Sequence, residues 1–121
     1  MLRFLLDEHL RGPLWLALQR HHARGGLPID AIRVGDPPDL PTGSDDPVIL
    51  LWAEREGRVL LTEDVHTMPG HLAQHLRAGH HSPGVFVISA GYSIGQLVSH
   101  LELVAHAGEP ADYQDTITYV P

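Results

Sequence analysis

Three pairs of acids stand where the chain changes character. Asp7-Glu8 follows the apolar run 2–6, Glu63-Asp64 follows the run 58–62, and Asp45-Asp46 stands directly before Pro47. Carboxylates gathered in one place repel unless a cation sits among them. Their hard oxygens suit Mg²⁺ or Mn²⁺, which take few protein ligands and keep several waters. One or two such ions clamp a phosphodiester and activate water for in-line attack. The plainer role for an Asp between a strand and a helix is to cap free N–H groups, and for Asp46 capping and metal binding weigh equally. Glu8 and Glu63 read as solvated neighbours of the two acids that matter most, Asp7 and Asp64.

The acids meet only if the elements carry them to one place. Residues 2–6 are short and apolar on both faces, as in a buried parallel strand. From Leu10 to His22 the apolar positions Leu14, Trp15 and Leu18 recur at helical spacing, with Pro13 near the start and Gly25-Gly26 as the stop. A weaker strand over 29–34 leads into the proline-rich loop 35–43, the stretch least suited to regular structure. Ser44-Asp45-Asp46-Pro47 opens a second helix, which Gly57 ends. Strand 58–62, helix 67–78, strand 84–88, helix 93–106 and strand 116–120 complete the order. Strict alternation of strand and helix predicts a three-layer α/β fold, an open, mostly parallel sheet with helices on both faces. In such sheets the working residues lie beyond the carboxyl ends of the strands. Asp7 and Asp64 then share one rim, with Asp45 and Asp46 at a helix start nearby.

The 121 residues form a single domain over 1–121, and composition narrows the chemistry. There is no cysteine, which removes disulfides, thiolate metal sites and cysteine nucleophiles. There is no lysine, which removes a phosphate-binding loop of the Walker type and Schiff-base chemistry. A net charge of −7 is the wrong sign for broad electrostatic binding of nucleic acid. Any such chemistry must be local, through metal ions or an arginine patch such as Arg11, Arg20 and Arg24. No apolar run is long enough for a signal peptide or a membrane span, so a cytoplasmic chain with no membrane partner is expected.

Taken together, the segments 5–10 (LLDEHL), 44–47 (SDDP), 52–64 (WAEREGRVLLTED) and 67–70 (TMPG) resemble the PIN-like proteins, and more narrowly a family of small bacterial PIN-like proteins. The later pieces 83–87, 94–96 and 119–121 fit the same subgroup, so the similarity spans nearly the whole chain. The resemblance implies a PIN-like sheet carrying a Mg²⁺- or Mn²⁺-dependent ribonuclease site, with RNA as substrate. Relatives of the VapC type are toxins of toxin–antitoxin pairs, held by a small antitoxin protein, and many PIN-type proteins form homodimers. Carried over position by position, Asp7 matches the acid after the first strand, Asp46 (with Asp45 as the alternative) the acid at the second helix start, and Asp64 the acid after the third strand. A further acid often found two positions on is here His66, an imidazole that binds metal without bringing negative charge. Ser44, Thr62 and Arg11 are the candidates for holding a phosphate or a water.

Other classes compete. A non-catalytic PIN-like interaction module with a degenerate metal site fits both the charge and His66. A phosphoacceptor receiver domain does not, because it needs a lysine. Ten histidines are many, and His71 and His75 share a helix face at i,i+4 with His66 and His80-His81 flanking them. The default for such a face is solvation, with transition-metal binding as the sharper alternative.

Overall fold

Strands of four residues cross the core once, so each must send side chains into both faces of the sheet to stay buried. The computed structural model describes residues 1–10 and 12–121. Strands β1 (Arg3–Leu6), β2 (Asp30–Arg33), β3 (Val59–Thr62), β4 (Val85–Ile88) and β5 (Ile117–Val120) alternate with helices α1 (Pro13–Ala23), α2 (Asp46–Glu56), α3 (Met68–Arg77) and α4 (Ile94–Ala107). The expected α/β order is present. The first helix starts at Pro13 rather than Leu10, because a short 3-10 turn, Glu8–Leu10, intervenes after β1.

The five strands form one sheet in the order β2-β1-β3-β4-β5, and every pairing is parallel. The period-2 alternation of strands then sorts the core. Phe4, Leu6, Val59, Leu61 and Phe86 face α1 and α4, while Leu5, Leu60, Val85 and Val87 face α2 and α3. Each fully buried Leu or Phe contributes about 1.5–3 kcal/mol relative to exposure. The Phe4 and Phe86 rings meet at 6.0 Å between centroids, across β3.

The strand order reverses direction between β1 and β3. From β1 the chain steps outward to β2 through α1, then back past β1 to β3 through α2 and on to β4 through α3. Reversing direction while keeping one crossover hand puts α1 on one face and α2 and α3 on the other, as observed. The last connection departs from this. It continues in the direction of α3, yet α4 packs beside α1, so the β4–α4–β5 crossover has the opposite hand to the other three. The segment after α4 must therefore return along the amino edge to reach β5. There Tyr113 packs edge-on against Phe86 at 5.1 Å. Its backbone leaves no room for a Cβ at Gly84, which has φ +128° and would place one 2.6 Å from the Tyr113 carbonyl oxygen.

Helix ends follow local chemistry. Gly57 takes φ 69° to close α2, a left-handed value that glycine alone adopts freely. Ser93 and Gln96 form a reciprocal capping box at the start of α4. The proline-rich loop is better anchored than its composition implies, because Leu40 is fully buried against α2 and β1 and its carbonyl accepts from the Gly35 N–H at 2.8 Å. Among the described residues no helix is long and apolar enough to cross a membrane.

Candidate functional site

In open parallel sheets a crevice forms beyond the carboxyl ends of the strands where the strand order reverses, and ligands bind there. Here that point lies between β1 and β3, the strands followed by Asp7 and Asp64. An open cleft of about 620 Å³ occupies it, lined by Asp7, Glu8, Asp45, Asp46 and Asp64, with His9, Ser44 and His71. No lysine or arginine lines it among the described residues. Five carboxylates facing two imidazoles leave a deficit of positive charge.

Each acid is held by a different element. Asp7 is 9% exposed. Its N–H donates to the Leu61 carbonyl at 3.0 Å, extending the β1–β3 ladder by one rung, and its carbonyl accepts from Leu10 N–H at 2.9 Å in the 3-10 turn. Thr62 is fully buried between the two strand-end acids. Its hydroxyl donates to Asp7 Oδ2 at 3.1 Å and accepts from Asp64 N–H at 3.1 Å. Asp64 turns back on the start of α3. Its Oδ1 accepts from the His66 and Thr67 N–H groups, both at 2.9 Å, and its Oδ2 accepts from the Thr67 hydroxyl. The Thr67 hydroxyl, ahead of these N–H donors, holds the Asp64 carboxyl below its ordinary range.

The pair before Pro47 behaves otherwise. Asp45 occupies the N-cap of α2 without a side-chain cap hydrogen bond, so neither its position nor proline's missing N–H consumes its carboxylate. Asp46, in the first turn of α2, lies 3.6 Å from His71 Nε2. Burial pushes the Asp46 carboxyl up, His71 opposes this, and the charges of Asp7, Asp64 and Asp45 add to it. Burial is the leading cause, and the neighbouring acids add to it at longer range.

The structure thus brings Asp7, Asp45, Asp46, Asp64 and Ser44 to one cleft and changes the parts assigned to others. Thr62 cannot meet a substrate, because it is fully buried and its hydroxyl gives its proton to Asp7 while accepting from the Asp64 N–H. The Ser44 hydroxyl donates its proton to the Pro41 carbonyl at 2.6 Å, so that proton is not free for a phosphate. His66 is exposed on the turn after Asp64 and does not line the cleft. The imidazole that does reach the acids of α2 is His71, one turn into α3. Arg11 lies outside the described residues. Glu8 is more than a solvated neighbour, since its Oε1 accepts from Gly43 N–H at 3.0 Å and clips the proline-rich loop to the rim.

Sequence reasoning grouped His71 with His75, and the helix does put them on one face, but they take different acids. His71 faces Asp46 at the carboxyl rim. His75 is buried at the other end of α3 beside Glu54 of α2 and His80. Glu54 was missed because its partners lie more than 20 positions away, and only the side-by-side, parallel packing of α2 and α3 joins them. Among the described residues the trio of ligating side chains with donor atoms within 4.8 Å of one another is Glu54, His75 and His80, and the rim carboxylates form no such trio.

Comparison of the chain with family models, with curated proteins and with solved structures finds no match to any of them.

Proposed function

We propose that the chain is a divalent-cation-dependent phosphodiesterase acting on RNA, with Asp7, Asp46 and Asp64 as the cation-binding acids. The carrying observation is the convergence of acids from β1, β3 and α2 on one cleft at the strand-order reversal, with Asp46 pushed up by burial and by its neighbours' charge. The donor set fits Mg²⁺ or Mn²⁺: several carboxylates, no thiolate, and room for the waters such an ion retains. When bound, the ion supplies charge stabilisation at a phosphoryl oxygen and a more acidic water.

The chain's own residues do the positioning. Thr62 fixes Asp7 with respect to Asp64, and both are backed by a sheet that cannot move without opening the core. Asp46 stands at the N-terminus of α2, where the helix dipole favours an anion, carboxylate or phosphate alike. His71 beside it is the group placed to hold or hand over a proton at Asp46. Access of an RNA backbone to so acidic a cleft depends on the cation, which explains how a chain of net charge −7 engages a polyanion.

A second reading, a non-catalytic interaction module, has one observation in its favour: both oxygens of Asp64 already accept hydrogen bonds from the turn that starts α3. Each carboxylate offers about four lone-pair directions, so Asp64 retains capacity for an ion. Mn²⁺ calorimetry on the wild type, Asp7→Asn and Asp46→Asn, followed by cleavage of a single-stranded RNA pool, separates the two. Binding lost in both variants, with Mn²⁺-dependent cleavage in the wild type, supports the enzyme. Binding without cleavage, or no binding, supports the module.

A further inference from the structure

Glu54, His75 and His80 lie away from the rim, at the end of α2 and α3 nearest the amino edge of the sheet, and the reading of the rim does not use them. Glu54 Oε1 is 3.2 Å from His75 Nε2 and 3.1 Å from His80 Nδ1. The His75 and His80 rings stack at 4.8 Å between centroids, 23° from parallel. His75 is buried, whereas the His80 side chain is 45% exposed.

We propose that Glu54, His75 and His80 form a second metal site on this chain, specific for Zn²⁺ or a similar borderline transition-metal dication and distinct from the acid cleft in both place and ligand chemistry. The ligand set is two imidazoles and one carboxylate, the composition that borderline dications take and that Mg²⁺ does not. Tetrahedral zinc with bonds of about 2.0–2.1 Å requires ligand atoms about 3.3 Å from one another. Two of the three ligand–ligand edges already have that length, and the third pair lies within 4.8 Å. The adjustment left to make falls to His80, the exposed and therefore movable member.

The surroundings are those of a held site. Glu54 Oε2 accepts from the His81 N–H at 2.9 Å, which aims Oε1 at the two rings. Outer hydrogen bonds of this kind orient metal-binding carboxylates. The His81 carbonyl lies 2.8 Å from His75 Nε2. An ion on that nitrogen takes the tautomer that carries its single proton on Nδ1, so that the Nε2 lone pair is the ligand and the ring stays neutral. Entry is open on the outer side, where His75 and His80 line a small cleft between α2 and α3 beside Leu51 and Gln74. Three protein ligands leave a fourth position for water or an added group.

The test uses tag-free full-length chain in excess Mg²⁺, which occupies carboxylates and leaves imidazoles free. Zn²⁺ is titrated by calorimetry and Co²⁺ by its visible absorption in the wild type, His80→Ala, Glu54→Gln, His75→Gln and the control His21→Ala. One Zn²⁺ per chain, an intense tetrahedral Co²⁺ band, and at least about 10-fold weaker binding in His80→Ala and Glu54→Gln but not in the control are expected. Zn²⁺ should also raise the melting temperature of the wild type and not of His80→Ala. Absence of tight Zn²⁺ binding, or binding unchanged in His80→Ala and Glu54→Gln, overturns the site. Should the buried His75 variant fail to fold, the other two decide.

Discussion

The carboxyl rim and the amino edge of the sheet both gather charged groups and handle them differently. At the amino edge Asp30, Asp115 and Glu54 each have a basic side chain beside them: Arg58 meets Asp30 at 2.9 Å and also donates to the Phe4 carbonyl, His81 meets Asp115 at 2.9 Å, and Glu54 faces three histidines. At the rim the acids crowd together, and the nearest imidazole stands 3.6 Å from one of them. Glu54 and Asp115 are consequently held below their ordinary range, Glu54 chiefly by the His81 N–H and Asp115 chiefly by the His81 side chain, whereas Asp46 is pushed above its own. Folding settles the acids of the amino edge and, at the rim, Asp64, whereas Asp46 is half-buried with the His71 charge alone opposing the cost. A carboxyl so perturbed in a cleft marks a candidate ligand-binding position.

The largest expected effect breaks the rim outright. Asp7→Asn should lower Mn²⁺-dependent RNA cleavage about 100-fold or more, measured as initial rate, while far-ultraviolet circular dichroism stays unchanged. Glu54→Gln at the other edge should leave that rate within about 2-fold, and a comparable loss there would erase the distinction between the edges. Next in size, Thr62→Val keeps the shape and removes the hydroxyl that joins Asp7 to Asp64. It should cost about 1–2 kcal/mol in urea unfolding and weaken Mn²⁺ binding without abolishing it.

Acid should move the two edges in opposite directions. An acid whose folded pKa is raised stabilises the fold most below its unfolded value, and that contribution is lost as pH rises through the folded pKa. Asp46→Asn should therefore melt higher than wild type near pH 7, with the difference closing as pH falls toward the ordinary carboxylate value of 3.8. Glu54 is the reverse case: its contribution is present above the unfolded value of 4.5 and lost as pH falls through the lowered folded one. Glu54→Gln should melt lower than wild type at pH 7, by less than about 1 kcal/mol because the pair is partly exposed. Smallest of all, Asp115→Asn should bring the His81 titration midpoint, seen by NMR, down toward 6.5, with little change in melting.

Much of this molecule was legible in its sequence because its signals are local. Alternating strand and helix gave the layers, and Pro13, Pro47, Gly57 and Ser93 marked helix ends through backbone chemistry that needs no tertiary partner. The rim was legible for the same reason, since acids that end parallel strands must share an edge. Less accessible was anything set by side-chain direction. Thr62 was a candidate for holding a phosphate or a water, yet it is buried beneath the acids and its hydroxyl joins Asp7 to Asp64. His66 and His71 exchanged importance because α3 begins with Met68 buried, which rotates His71 toward α2. Glu54 drew no notice because its meaning depends on the packing of one helix against the next, and the opposite-handed last crossover has no signature in any residue.

The pairing of β1 with β3 also orders events in time. Asp7 waits for Thr62, 55 positions further on, and nothing nearer in the chain can substitute for it. On a ribosome the first half of the protein can form α1 and lay β2 against β1, yet the rim stays incomplete until β3 has emerged and paired along the free edge of β1. Pairings this distant are slow to close. The acid cleft thus cannot assemble before the second half of the chain begins to emerge, and a chain halted ahead of β3 exposes Asp7, Asp45 and Asp46 without bringing them to Asp64.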